Sequence, residues 1–264
     1  MFITRNEAEV STPADLRMRN FRFFYFLQKM TRATILCLIT ALTASMLANP
    51  YSDANINTDQ ADSLQTDSAK YFRLTENDYS KVAEELGIDI ATMKAVVEIE
   101  AGHSHQGFIQ PGIPIINFDL VIFKRFLRRA GISYAKYNSS IAFRTPNVRK
   151  YGSYGKAQWA RLDAARKISA EIADKATFWG MFQIGGFNWK NCGCASLDEF
   201  VERMSTSEAE QLELFAQFCI RMNLVKYLQK KDWNGFAYHY NGPGYKKRGY
   251  HIRLQKAHKK HTKK

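Results

Sequence analysis

From Tyr71 onward, apolar positions recur at helical spacing, broken by polar and glycine-rich joints. Thr75 with Asp78 resembles a capping box, and Gly87 marks the end of the helix it opens. Asp89 stands as the next N-cap, for a helix running to about Ala101 and stopped by Gly102. Phe118 to Arg129 is amphipathic, with Phe123, Phe126 and Leu127 as its stripe. Residues 134–156 are rich in Tyr, Ser, Asn and Gly and predict a loop or small hairpin. Ala157 to Thr177 again has helical spacing through Trp159, Leu162, Ala165, Ile168 and Ile172. Ser196 with Glu199 and Ser207 with Glu210 are two more capping boxes. The second opens a long helix striped by Leu212, Phe215, Cys219 and Met222. Asp232 caps a last short helix reaching Tyr238. Short helices joined by glycine- and aromatic-rich loops predict one mostly α domain.

The N-terminal part has a different pattern. Residues 33–47 are an apolar run without charge, preceded by Arg17, Arg19, Arg22, Lys29 and Arg32. A basic segment, a short apolar segment and small residues predict a secretory signal in residues 1–48, with an uncleaved membrane anchor as the second reading. Export to the periplasm or outside follows from either. Residues 49–70 are polar, with little to bury, and predict a flexible linker before a domain over 71–258.

Composition is that of a globular protein, with 45% apolar and 24% charged residues in 264. The net charge of +13 points to a polyanionic partner such as an anionic cell-wall surface. From Lys246 the chain has nine Lys or Arg, three His and no acid, and predicts a solvated basic tail that can dock on a polyanion, residues 259–264 lying beyond the domain. No nucleic-acid motif accompanies the charge, and export argues against such a partner. The chain lacks a CxxC pair and HExxH, so nothing implies a metal, and no cofactor is expected. Cys192, Cys194 and Cys219 leave two readings: a disulfide from Cys192 or Cys194 to Cys219, or three unpaired buried thiols.

Candidate chemistry begins with the helix from Asp89. At about 100° per residue, Met93, Val96 and Val97 fall within about 60° of Glu100, whereas Glu98 falls about 160° away. Glu100 therefore emerges from the apolar face at the negative end of the helix. Burial and the helix dipole both disfavour its carboxylate, which suits a general acid. Glu98 is expected to be solvated or supporting. Two later segments carry polar groups among aromatic and glycine residues: WGMFQIGGFN (179–188), around Gln183, and YHYNGPGY (238–245), a Gly/Pro turn displaying Tyr240, Asn241 and Tyr245. Rings beside amides suit sugars, which offer apolar faces edged by hydroxyls.

The ordered set AVVEIEAG (95–102), WGMFQIGGFN (179–188) and YNGPGY (240–245) resembles the N-acetylmuramidase family of endolysin catalytic domains. LGIDIATMKAV (86–96), INFDLVIF (116–123), YGKAQWARLDAA (154–165) and DWNGFAYHYNGPGY (232–245) extend the likeness over roughly 75–258. The order Glu, G-x-x-Q, Y-N-x-G is also similar, more distantly, to goose-type lysozymes and lytic transglycosylases. The resemblance implies a lysozyme-like fold and cleavage of the β-1,4 bond between N-acetylmuramic acid and N-acetylglucosamine in peptidoglycan glycan strands, and the chain is expected to be a monomer. The family's catalytic Glu falls on Glu100, with Ala101 where the family has Ser. The carboxylate of its F-E-R pattern falls on Asp119. Gln183, Tyr240 and Asn241 fall at the groove positions that bind the sugar near the scissile bond, and Tyr245, on the same Gly/Pro turn, is expected to bind substrate beside them. Two other functions compete: a lytic transglycosylase using the same acid, and a non-catalytic glycan-binding envelope protein.

Overall fold

The computed structural model describes residues 73–101 and 106–263. The expected leader, the linker and the Gly102 helix stop lie outside these residues.

The first two helices end where local chemistry dictates. In α1 (Glu76–Leu86), Thr75 Oγ1 accepts from Asp78 N while Asp78 Oδ2 accepts from Thr75 N, a reciprocal cap. Gly87 ends it in the left-handed region at φ 60°. Asp89 Oδ1 accepts from Thr92 N at 2.7 Å to open α2 (Ile90–Glu100). Met93, Val96, Val97 and Glu100 are buried on α2, as expected from the helical angles, and Thr92 and Ala95 are buried with them.

After two short strands, β1 (Phe108–Gln110) and β2 (Ile113–Pro114), the chain forms β3 (Ile116–Phe118) and α3 (Leu120–Arg129). β3 takes Phe118 from the expected amphipathic helix, which starts two residues later, capped by Asp119. Residues 134–156 form no hairpin. They hold two 3₁₀ turns, the helix α4 (Val148–Tyr151) and the start of α5 (Tyr154–Arg166).

The helix expected over 157–177 is divided. α5 stops at Arg166, α6 (Ala170–Lys175) follows, and Thr177–Trp179 become β4. The reason is sheet pairing: β4 sits between β3 and β5 (Ile184–Gly185), with Phe118 opposite Thr177, Ile116 opposite Trp179 and Phe178 opposite Gly185. Ladder bonds to two neighbours outweigh weak local helix propensity.

The C-terminal half is helical: α7 (Leu197–Met204), α8 (Glu208–Arg221), α9 (Val225–Gln229), α10 (Trp233–Asn241) and α11 (Tyr250–Thr262). One apolar core joins α1, α2, β4, α8, α10 and α11 through residues such as Leu86, Val96, Trp179, Phe215, Phe236 and Leu254. Cys192, Cys194 and Cys219 are all buried and free, so neither pairing of Cys219 forms. Among the described residues no helix is long and apolar enough to cross a membrane.

The basic C-terminus is the largest departure from the sequence reading. α11 runs from Tyr250 through the expected tail boundary at 258, and packs along α2 with Tyr250, Leu254 and Ala257 buried. Its side chains meet acids of α2 and its N-cap: Lys260 Nζ and His261 Nε2 lie 2.9 and 2.8 Å from Glu98 Oε2, and His258 Nε2 lies 3.3 Å from Asp89 Oδ1. Leu, Ala and Tyr at helical spacing were masked in the sequence by the lysines and histidines between them.

Because α11 buttresses the helix that carries Glu100, its loss should act on folding before it acts on surface binding. Leu254→Ala should destabilise the domain by about 2–5 kcal/mol, the range for a buried leucine, seen as a lower midpoint in thermal circular dichroism. Removing residues 250–264 should abolish the cooperative melt together with activity. A truncated chain that melts like the full one would contradict the buttress.

Candidate active site

Three elements meet around Glu100: the last turn of α2, the last turn of α10 and the segment leading into α11. α10 runs three residues past the expected Tyr238, so Tyr240 and Asn241 are helical rather than displayed on a loop. Gly242, at φ 78°, turns the chain into the 3₁₀ turn Pro243–Tyr245. Asn241 thereby enters the core, and its Nδ2 donates to Glu100 Oε1 at 3.1 Å.

Glu100 is 8% exposed. Its Oε2 and the Oδ1 of Asn241 are buried without a hydrogen-bond partner among the described residues. Burial pushes the Glu100 carboxyl up to about 7 from 4.5, against the opposing pull of the Asn241 hydrogen bond and the positive charges of Arg253 and Arg248. Arg248 Nη2 donates to Asn241 O at 2.9 Å, so the same arginine positions the amide that holds the acid. Burial and then the Glu100 charge raise the Tyr240 phenol, and burial and Glu100 likewise raise Tyr250. Both rings are neutral at ordinary pH. The arrangement can donate a proton from one carboxyl near neutrality.

Gln183 sits on the β4–β5 turn in the left-handed region, at φ 49°, unusual for a residue with a side chain. Its Nε2 donates to Gly180 O at 2.7 Å, closing the turn. The turn is bound to α10, since Tyr240 Oη donates to Phe182 O at 3.3 Å, and Phe182 stacks on Phe215. Gln183, Tyr240, Asn241 and Glu100 are thus one connected unit.

Tyr245 and Asp119 have other hydrogen-bond partners. Tyr245 is buried against Tyr238 and His251, and its Oη donates to Asn234 Oδ1 at 3.3 Å. Asp119 caps α3, its Oδ1 accepting from Val121 N at 2.8 Å and Ile122 N at 2.9 Å. Its backbone N donates to Ala176 O, at the end of β4 away from the Gln183 turn, on the order of 10 Å along the strand. No hydrogen bond joins Asp119 to Glu100 among the described residues, and its charge acts instead on Arg161.

Two supporting residues escaped the sequence reading. Gln211 is fully buried on α8; its Oε1 accepts from Met181 N at 2.8 Å and its Nε2 donates to Met204 O and Gly107 O. Glu208 accepts from Gly107 N at 2.8 Å, and burial raises its carboxyl to about 7. Together they tie the chain after Glu100 and the Gln183 turn to one helix. The sequence signal was a Gln among the apolar residues of that helix. Among the described residues no group of three or more His, Cys, Asp or Glu is placed to hold a metal ion.

Comparison with known proteins gives a consistent answer. The profile of the muramidase family, described as N-acetylmuramidase, matches residues 89–262. The crystal structure of the Burkholderia AP3 phage endolysin is similar, with 35% sequence identity, 74% of this chain and 72% of that chain covered, and a TM-score of 0.61. No curated protein matches. The matched region contains the whole Glu100–Asn241–Gln183 unit, and the chain belongs to the N-acetylmuramidase family of lysozyme-type glycoside hydrolases.

Proposed function

We propose that the protein is an exported enzyme that cleaves the β-1,4 bond between N-acetylmuramic acid and N-acetylglucosamine in peptidoglycan, with Glu100 as general acid. The observation that carries this reading is the Glu100 carboxyl itself: buried, raised to about 7, fixed through one oxygen by Asn241 and with the other oxygen unpartnered among the described residues. A protonated carboxyl in that state delivers its proton to a glycosidic oxygen as the bond to the leaving sugar breaks. The hydrogen bond from Asn241 supplies the orientation that the family's Ser gives beside the acid, where this chain has Ala101. Gln183 and the Tyr240 ring frame the sugar next to the scissile bond. Asp119, through the carboxylate oxygen not used in capping, positions water or stabilises the oxocarbenium-like transition state. The excess of positive charge draws the enzyme to anionic walls, and that attraction weakens as salt shortens the screening length.

A lytic transglycosylase is the second reading, favoured by the commitment of Asp119 to the α3 cap. That reaction needs only the acid, because the muramic-acid 6-hydroxyl displaces the leaving group and closes a 1,6-anhydro ring. Mass spectrometry of digested peptidoglycan separates the two: hydrolysis yields free reducing-end muramic acid, and transglycosylation yields products lighter by one water.

Glu100→Gln should lower turbidity clearance of purified peptidoglycan by about 100- to 10,000-fold, the usual range for a positioned general acid. Glu98→Gln loosens only the bonds to Lys260 and His261 and should keep most activity. Asp119→Asn retains a capping side chain, so the fold should hold. Its activity should fall strongly if Asp119 positions water, and a near wild-type rate would favour the transglycosylase.

The pH dependence has a definite sign. The acid is protonated below about 7, so kcat/KM should decline above that value, and Asn241→Ala, which removes a bond favouring the carboxylate, should move the limb upward. The folded protein binds this proton more tightly than the unfolded chain, so stability falls between pH 4.5 and about 7. The full shift is worth about 3 kcal/mol at about 1.4 kcal/mol per unit. Glu100→Gln should therefore raise the melting temperature by a few degrees at pH 8 and leave it unchanged at pH 4. An equal effect at both values would contradict the buried acid.

A further inference from the structure

Residues 141–151 and α5 enclose an open cleft of about 500 Å³, whose lining residues are none of the Glu100–Asn241–Gln183 unit. Arg144, Arg149 and Lys150 line its rim, Ile141 and Pro146 add apolar surface, and Arg161 forms part of its wall. The lining has no acidic residue.

Arg161 is the unusual member. It is only 7% exposed, and its Nε is buried without a hydrogen-bond partner among the described residues. Nη1 donates to Gln158 Oε1 at 3.1 Å and to Phe118 O at 3.4 Å, and Nη2 to Ala142 O at 3.4 Å. These partners are neutral, two of the three bonds are long, and Asp119 acts on the guanidinium only from beyond ion-pair range. A buried cation without a counter-ion is expensive, and one oriented by several neutral acceptors is prepared for an anion. The exposed Arg144, Arg149 and Lys150 form no ion pair among the described residues, so their field adds at the cleft mouth.

We propose that this cleft is a second ligand site, which binds the carboxylates of a short acidic peptide: the stem peptide attached to muramic acid. The identification of that peptide rests on the peptidoglycan reading above. Guanidinium forks match carboxylates in a bidentate manner, whereas a peptide backbone and its aliphatic side chains suit Ile141, Pro146 and Val148. The volume falls within the range of small-ligand sites and accommodates a few residues. Stem capture at this site holds a glycan strand while Glu100 acts on it, and selects peptide-bearing strands over bare ones.

The test uses the full chain and the double variant Arg149→Glu/Lys150→Glu, both positions being exposed and outside the catalytic unit. Calorimetric titration at low salt with the tripeptide L-Ala–D-Glu–meso-diaminopimelate should show binding to the wild type. It should weaken about tenfold or more in the variant, and as much when the peptide carboxylates are amidated. Inorganic phosphate at equal concentration should leave the peptide bound. On stem-bearing walls the variant should show a raised KM with kcat kept, and on strands stripped of peptide it should match the wild type. Equal peptide affinity in wild type and variant, absence of binding, or displacement by phosphate would overturn the proposal. Peptide binding does not depend on turnover, so an enzyme inactive on every wall would sink the hydrolase reading while the titration still decides the cleft.

Discussion

A carboxyl group placed among apolar side chains at the end of a helix is costly to ionise, and much of this structure exists to hold Glu100 in that situation. Three residues of α2, Met93, Val96 and Val97, turn the same face inward and take Glu100 with them. α11 covers that helix, and α10 brings up Asn241, whose amide meets one carboxylate oxygen. Burial raises the acid; the amide, Arg248 and Arg253 hold the rise to a value near neutrality. Without the covering helices the same glutamate would titrate as an ordinary surface carboxyl.

The second constraint is transmitted through α8. Gln211 and Glu208 bond to Gly107, beyond the end of α2, and Gln211 also bonds to Met181 in the turn that presents Gln183. One helix thus sets the position of two segments far apart in sequence. A buried amide with both ends satisfied fixes geometry more tightly than apolar contact alone, because misplacing it leaves polar groups unpaired. The small β3–β4–β5 sheet matters for the same reason, since its last turn strains Gln183 into the left-handed region beside Phe182 and Tyr240.

Charge serves two purposes that composition merges. Part of the basic C-terminus is internal to the fold: Lys260, His261 and His258 meet Glu98 and Asp89 and fasten α11 to α2. A separate group, Arg144, Arg149, Lys150 and Arg161, forms no ion pair among the described residues and gives one face of the molecule a positive cleft. A net charge of +13 describes neither arrangement.

Local chemistry was legible in the sequence. The caps at Thr75, Asp89, Ser196, Ser207 and Asp232 form, and the helical angle of Glu100 against Glu98 correctly separates a buried acid from one bonded to α11. The ordered motifs identified the family. These features depend on neighbours within a few residues, or on residue order, both of which a sequence states outright. What tertiary structure decided depends on partners distant in the chain. Thr177–Trp179 are a strand because β3 and β5 flank them, and the lysine-rich end is a helix because α2 offers an apolar face. Asp119 caps α3 and shares no hydrogen bond with Glu100 among the described residues, and Asn241 holds one oxygen of the acid. Helix periodicity shows which face is apolar, but burial energy is gained only against a second surface, and only the folded chain decides which surface that is.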